Sequence, residues 1–333
     1  MLTVSISLLL TAFAWPSVRS SVHDVPIAVA GPAPAVKQLT AALGRRLPEG
    51  FAVTEVADTA AAEQLIRDRK VYGAIDVSSG TPQVITASAG SAAVVQALNS
   101  IATGLSQARG TGTAVAARDL VPLPADDPRG AGLAAGALPL VMGGLLAAVL
   151  LTRLVRGTVR RVTGAFAFAI TGGLAVAAIL QFWLGSLGGC YWANGGAVAL
   201  TIAATSLSIL GFESLLGYAG LGLGAATMML IGNPLSGTAT APEMLPGWSG
   251  TLGQLLPPGA GGRLLRSTAF FEGHGIAHSV TVLATWLTLG MVLCLAGGLR
   301  HRPTAAVADT AAQPATHATG SSSAVAGNAG SSR

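Results

Sequence analysis

Hydrophobic and polar positions divide this chain into two unlike parts. Up to about residue 130, apolar residues fall in short runs: Val25–Ala30, Phe51–Val56, Val71–Val77 and Gln83–Ala87. These runs are rich in Val and Ile and have the length of strands. The longer stretches between them, Ala35–Leu47, Thr59–Lys70 and Ser91–Gln107, read as helices. Asp58 directly before Thr59, with Glu63 further in, marks a helix start. The order β-α-β-α-β-β-α predicts a small α/β domain within residues 16–130.

Beyond the linker Val121–Gly130 the pattern changes abruptly. Ala131–Leu151, Thr163–Gly185, Gly195–Phe212, Leu215–Ile231 and Ser279–Leu299 carry no charge over 21, 23, 18, 17 and 21 residues. Each is near the ~20 apolar residues that cross a bilayer as a helix. Residues 2–15 are also uncharged and apolar but number only fourteen. A signal peptide fits Ala12-Phe13-Ala14 as a small-x-small cleavage site, yet the basic segment such peptides carry is missing. A first transmembrane helix, shortened by a misassigned start, is the favoured reading of residues 1–15. The expected fold is therefore an all-α membrane bundle of six transmembrane helices with an inserted extracytoplasmic α/β domain. Its parts are the first helix (1–15), the α/β domain (16–130), a five-helix permease-like block (131–299) and a disordered cytoplasmic tail (300–333).

Composition strengthens this reading. Hydrophobic residues make up 51% and charged residues 10%, against about 25% charged in an ordinary soluble domain. Mean hydropathy is +0.62. A soluble cytosolic enzyme is excluded, because too little charge is available to cover its surface. With 44 glycines and 5% aromatics, the helices must meet through small side chains. Arg outnumbers Lys 17 to 2, the codon signature of a GC-rich bacterial genome.

The net charge of +5 and pI near 9.9 suggest nucleic acid until the charges are located. Arg153, Arg156, Arg160 and Arg161 crowd one acid-free loop, which the positive-inside rule places in the cytoplasm. Threading from there puts 16–130 outside with ten basic and ten acidic residues, 232–278 outside with two of each, and the C-terminus inside. The cytoplasmic pieces carry +4 (the loop), −1 (Glu213) and +2 (the tail), which sum to the +5 of the chain. The basic pI is thus topological, and nucleic acid is not expected as a partner.

Little in the sequence carries catalytic chemistry. The only lysines, Lys37 and Lys70, sit outside any phosphate-cradling loop, so ATP hydrolysis must belong to another chain. Cys190 and Cys294 are too few for a zinc site or a disulfide framework. The glycines of 217–224 lie in an apolar helix with no preceding strand, so Gly220 and Gly224 read as a helix-packing face. His274 and His278 lack a third ligand, Asp126 and Asp127 read as a solvated turn, and Glu213 lies at a hairpin tip as a coupling contact. No catalytic, cofactor or metal residues are expected, and the chain is not read as an enzyme.

The most informative stretch is 232–273, with Pro234, Pro242, Pro246, Pro257 and Pro258 followed by an amphipathic piece. It is too polar to span and too apolar to be a free loop. Two short helices are expected near Glu243–Leu256 and Gly261–Phe271, separated by Pro257-Pro258, dipping into the outer leaflet as a re-entrant segment over 233–275. Arg263 and Arg266 would then snorkel toward water.

Together, the anchor–domain–five-span plan, the opening His23-Asp-Val-Pro-Ile-Ala-Val-Ala-Gly-Pro, the later Val71-Tyr-Gly-Ala-Ile-Asp, and Gly232-Asn-Pro-Leu-Ser-Gly with Pro242-Glu-Met-Leu-Pro246 and Leu256-Pro257 resemble type-2 ABC transporter permeases. The nearest resemblance is to the actinobacterial Pip/YhgE-like (phage infection protein-like) membrane proteins, over about residues 1–300. The resemblance implies a multi-pass permease of the bacterial plasma membrane, a homodimer or paired permease exporting substrate with a separate ABC ATPase subunit. It further implies that Arg153, Arg156, Arg160, Arg161 and Glu213 form the ATPase-coupling surface, and that Pro234, Pro246, Pro257 and Pro258 shape an exit gate. The amphipathic elbow helix of that family is missing. That departure keeps a second reading open, a non-transporting cell-envelope protein whose outside domain binds a ligand, a wall component or a phage.

Overall fold

The computed structural model describes residues 2–109 and 115–300. The tail expected to be disordered falls on 301–333, outside the described residues. Helix α1 (Leu2–Val18) leads into an α/β unit: β1 (Val25–Ala30), α2 (Ala33–Arg46), β2 (Phe51–Val56), α3 (Thr59–Arg67), β3 (Gly73–Asp76), β4 (Gln83–Thr86), α4 (Ala92–Arg109) and β5 (Ala116–Asp119). The sheet order is β2-β1-β3-β4-β5, parallel except for the β3–β4 pair. Strand alternation sorts side chains by size. Val25, Ile27, Ile75 and Val84 pack on one face with Leu43 of α2 and Leu98 of α4, while Ala28, Ala30 and Ala74 face Ala62 and Ile66 of α3. The Asp58 carboxylate caps α3 by accepting from the Ala61 amide at 2.8 Å. Buried Asp76 ties the end of β3 to that helix start, accepting from Thr59 Oγ1 at 2.5 Å and from Gln83 Nε2 at 2.8 Å.

The second part is helical: α5 (Ala131–Leu154), α6 (Thr158–Ala178), α7 (Tyr191–Leu216), α8 (Tyr218–Ala226), α9 (Ser249–Gln254), α10 (Pro257–Phe270) and α11 (Ala277–Arg300). Both α6 and α8 run on through a π-helical turn, Ile179–Trp183 and Thr227–Gly232. Among the described residues, four helices are long and apolar enough to cross a membrane: Ala131–Leu154, Thr158–Trp183, Tyr191–Leu216 and Ala277–Arg300. The apolar helices Ile6–Val18 and Tyr218–Gly232 are shorter. The protein is thus mostly helical, with four candidate spans and one small mixed sheet.

Uncharged windows understate the helices. The α7 helix runs through Glu213, and the chain turns only at Gly217, whose φ of +62° favours glycine. The hairpin tip expected at Glu213–Ser214 therefore lies later, because a charge does not end a helix that can pair it.

Helix α7 is the axis of the block, with fifteen buried residues along its length and contacts to α5, α6, α8, α10 and α11. Small residues allow that crowding. Opposite α11, a Cβ on Gly211 would meet the Gly290 carbonyl at 2.8 Å, and one on Gly290 would collide with the Leu207 backbone. Ser214 Oγ donates to the Leu293 carbonyl at 2.8 Å across the same seam. Gly220 and Gly224 of α8 face back onto α7, against Phe212 and Ile209.

Residues 233–276 form neither a span nor an extended loop. A 3₁₀ turn (Pro242–Met244), α9 and α10 pack on the block and on the sheet unit. Two expectations need correction here. Pro257 and Pro258 do not separate two helices; they open α10, where a missing amide donor costs nothing because the first turn has no acceptor for it. The break falls at Leu255–Leu256, and Trp286 Nε1 satisfies the freed Leu255 carbonyl at 2.8 Å. Nor do Arg263 and Arg266 extend freely toward water: both are half-buried, the Nε atom of each is enclosed, and Arg266 Nη2 is held by the Thr238 carbonyl. Leu256, Leu264, Leu265 and Phe271 are buried, whereas Leu255 is exposed.

The α7–α11 seam yields a stability prediction. Gly290→Val should lower the thermal midpoint of the detergent-solubilised protein, with a cost of about 1–3 kcal/mol, because the clash is with backbone that cannot turn aside. Gly222→Ala, with nothing within 4 Å of the added carbon, is the control and should melt as the parent does. Equal melting of the two variants would contradict this packing.

Candidate functional site

A cavity of about 1020 Å³ opens at the end of the block remote from the sheet, lined by residues 156–161, by 213–215 and Gly217, and by Leu295 and 297–299. Two chain reversals, the α5–α6 loop and the α7–α8 turn, meet the end of α11 there. The loop is short because Gly157 takes φ +92° between the two helices. Arg161 fastens it. Its Nε donates to the Val155 carbonyl at 2.8 Å and its Nη2 to the Thr152 carbonyl at 3.0 Å, while Nη1 pairs with Glu213 at 3.1 Å. One guanidinium thus caps the end of α5 and clamps the loop to α7. The planar, permanently charged fork suits this task as an ammonium would not.

The other expected residues divide by position. Arg156 and Arg160 line the cavity and are exposed. Arg153 is exposed and stacks over the Tyr218 ring at 5.1 Å. The structure therefore brings Arg156, Arg160, Arg161 and Glu213 to one cavity and holds Arg153 at its flank. Four cations against one acid leave this end net positive. The prolines lie at the other end: Pro257 and Pro258 are buried at the start of α10, with Pro258 against Gly232, while Pro234 and Pro246 are half-buried in the turns before it.

Asp127 departs from the solvated turn expected of it. It is buried, and its carboxylate accepts from the amides of Ala131 at 2.8 Å and Gly132 at 2.7 Å, capping α5. His274 and His278 are exposed, and among the described residues no three His, Cys, Asp or Glu side chains gather as a metal site would require.

A second cluster has no counterpart in the sequence reading. Where the sheet unit meets α10, Arg69 Nη1 donates to the Arg263 carbonyl at 2.9 Å and to Ser267 Oγ, and its guanidinium lies over the Phe271 ring at 5.0 Å. Tyr72 donates its hydroxyl to Glu243 at 2.9 Å. Arg266 Nη2 donates to the Thr238 carbonyl at 2.9 Å. Burial and the neighbouring Arg266 and Arg263 push the Arg69 guanidinium down to about 9, still protonated at neutral pH. Burial, with Glu243 beside it, pushes the Tyr72 phenol well above its ordinary range, so it remains a donor. The contributing residues are about 170 to 200 positions apart, so no local pattern announced them.

No family model, no curated protein and no solved structure matches the chain.

The Arg161–Glu213 clamp is testable by itself. Glu213→Gln should weaken it by about 1–2 kcal/mol, as for a partly buried charged hydrogen bond. In a double-mutant cycle with Arg161→Ala the two losses should be less than additive. Strict additivity of the melting shifts would show that the pair contributes no coupling.

Proposed function

We propose that this chain is the permease subunit of a type-2 ABC exporter, a dimer driven by a separate ATPase subunit. The observation that carries the reading is the large basic cavity at the end away from the sheet. Its rigid loop, locked to the central helix α7 by Arg161 and Glu213, can pass a push from a docked partner into the bundle core. In this reading that end is cytoplasmic, the α/β unit is extracytoplasmic, and α1 and α8 complete six membrane helices. The segment 233–276 then lies at the outer mouth, where its short helices would shape the substrate exit. Catalysis is assigned to the ATPase, and this chain contributes docking and a path. No observation favours the ligand-binding envelope protein over the exporter, although both share the same orientation.

Two measurements test the proposal. In a background lacking Cys190 and Cys294, a membrane-impermeant maleimide applied to intact cells should label Ser79→Cys and spare Val159→Cys; the reverse pattern would overturn the orientation. Tagged protein purified from its native membrane should carry an ABC-type ATPase subunit and ATPase activity. Both should fall at least severalfold in an Arg156→Glu/Arg160→Glu variant that still folds. Purification with no ATPase subunit from the parent would remove the exporter and leave the envelope-protein reading.

A further inference from the structure

The cluster between the sheet unit and α10 is out of charge balance. Arg69, Arg263 and Arg266 meet one carboxylate, Glu243. None of the three belongs to the ion pairs found within 4.0 Å among the described residues. Glu243 is instead occupied by the Tyr72 hydroxyl. The Nε atoms of Arg263 and Arg266 are buried without a hydrogen-bond partner, as is Oε1 of Gln254 nearby. A guanidinium cannot shed its proton to escape burial, and a buried cation without a counter-charge is strongly unfavourable. Two positive charges in excess at one half-buried seam call for an anion.

Space for one is present. A crevice of about 80 Å³ is lined by Arg69, Lys70, Tyr72, Glu243, Arg263 and Phe271. A water needs only about 10–15 Å³ of such space, so a group of several heavy atoms fits. Beyond it lies a larger cavity of about 480 Å³ that shares Arg263 and Glu243 and is walled by Leu255, His23 and His278. An anionic head in the crevice could therefore carry a bulkier remainder into the wider cavity. The surroundings lie at membrane-boundary level. Trp248, just before α9, is 72% exposed, and Trp192, at the same end of α7, is 70% exposed. Exposed tryptophans mark the headgroup zone.

We infer that this crevice binds a phosphate group, with Arg263 and Arg69 as its principal donors, Arg266 adding field from behind, and Glu243 limiting the affinity. Guanidinium forks match phosphate oxygens in geometry as well as charge. The phosphate can come from a phospholipid headgroup or from a soluble phosphate compound. The inference does not depend on the exporter reading, since the charge imbalance exists whichever way the protein works.

The full-length protein in a neutral detergent provides the test, with the thermal midpoint read against added ligand at constant ionic strength. The probes are inorganic phosphate, short-chain phosphatidylglycerol and, as a zwitterionic comparison, short-chain phosphatidylcholine, with chloride as the blank. Phosphate or phosphatidylglycerol should raise the midpoint in a saturable way. Arg263→Gln should weaken that response at least tenfold while leaving the ligand-free midpoint equal or higher, because it removes an unpaired buried cation. Glu243→Gln should do the opposite, lowering the ligand-free midpoint and tightening binding. A response to inorganic phosphate identifies the bare group as sufficient, and a response to phosphatidylglycerol alone identifies a lipid headgroup; either supports the site. No response to either probe, or an equal response in Arg263→Gln and the parent, would overturn it. A phosphatidylcholine response as strong as that of phosphatidylglycerol, and lost in Arg263→Gln, would also support the site, since both lipids carry the same phosphodiester; one retained in Arg263→Gln would overturn it.

Discussion

The close burial of α7 is the constraint on which the helical block depends. A helix enclosed by five others can be accommodated only if its neighbours approach to backbone distance. The sequence meets that demand with Gly, Ala, Ser and Thr along its length and with glycines facing it at Gly173 of α6, Gly144 of α5 and Gly290 of α11. In a bilayer, lipid is as apolar as Leu, so bulk hydrophobicity cannot choose between protein and lipid contacts. Close packing and hydrogen bonds across the seams make the choice, as when Ser208 reaches the Trp286 carbonyl at 3.2 Å. Large apolar side chains on the same helices, among them Leu146, Leu150, Phe168, Ile170 and Val292, turn outward and stay exposed. That division is what a lipid-facing surface requires.

A column this tightly packed joins the two ends of the molecule, and the ends handle charge differently. At the loop end, Arg156 and Arg160 are exposed to water and their mutual repulsion is cheap; only Arg161 is drawn inward, and it is paired. At the sheet end, three arginines sit in or beside a buried seam without a carboxylate partner. The seam cannot simply open to water, because α10 contributes to both bodies. Leu264 and Leu265 belong to the core of the helical block, while Phe270 and Phe271 finish the face of the sheet that α3 leaves uncovered. On the sheet's other face, Ala241 is buried in the core and Met244 packs against it. The 233–276 segment thus locks the α/β unit to the bundle from both sides, and the arginine cluster lies within that lock.

How much of this was legible in sequence depends on how local its cause is. Strands β1 and β2 were legible to the residue, because Val- and Ile-rich runs of six with flanking turn residues leave few alternatives. The α3 cap was legible for the same reason: Asp58 acts on an amide three residues away. Strand β5, Ala-Ala-Arg-Asp, was not, because all four residues are exposed and its place is set by backbone pairing to β4 at the sheet edge. The loop arginines were visible as a cluster, and Glu213 as an isolated acid, but their pairing spans 52 positions and needed the fold. Pro257-Pro258 was visible as a discontinuity yet misplaced by two residues, since proline breaks a helix before it and can open one after it. The Arg69–Tyr72–Glu243–Arg263 grouping had no sequence signal beyond an amphipathic stretch with two arginines.

Exposed tryptophans gather at one end of the candidate spans, as a headgroup-level belt would. Trp183 ends the π turn of α6, Trp192 stands in the first turn of α7 and Trp248 precedes α9; all three are at the sheet end and at least 70% exposed. At about 1.5 Å per residue, the 26 residues from Thr158 to Trp183 extend about 39 Å, more than the ~30 Å of hydrocarbon. The excess is long enough to carry the Arg160–Arg161 turn clear of a layer of that thickness. The shorter Tyr218–Gly232 helix reaches only about 22 Å on the same scale, less than that thickness, so its sheet-side end needs cover. The cover is visible: Gly232 packs directly on Pro258, and the chain passes at once into the turns leading to α9 and α10. The short helix and the short segment after it therefore explain each other. Non-helical backbone in apolar surroundings is tolerable only when protein encloses it, and α1, α5 and α10 all pack on the Thr227–Gly232 turn.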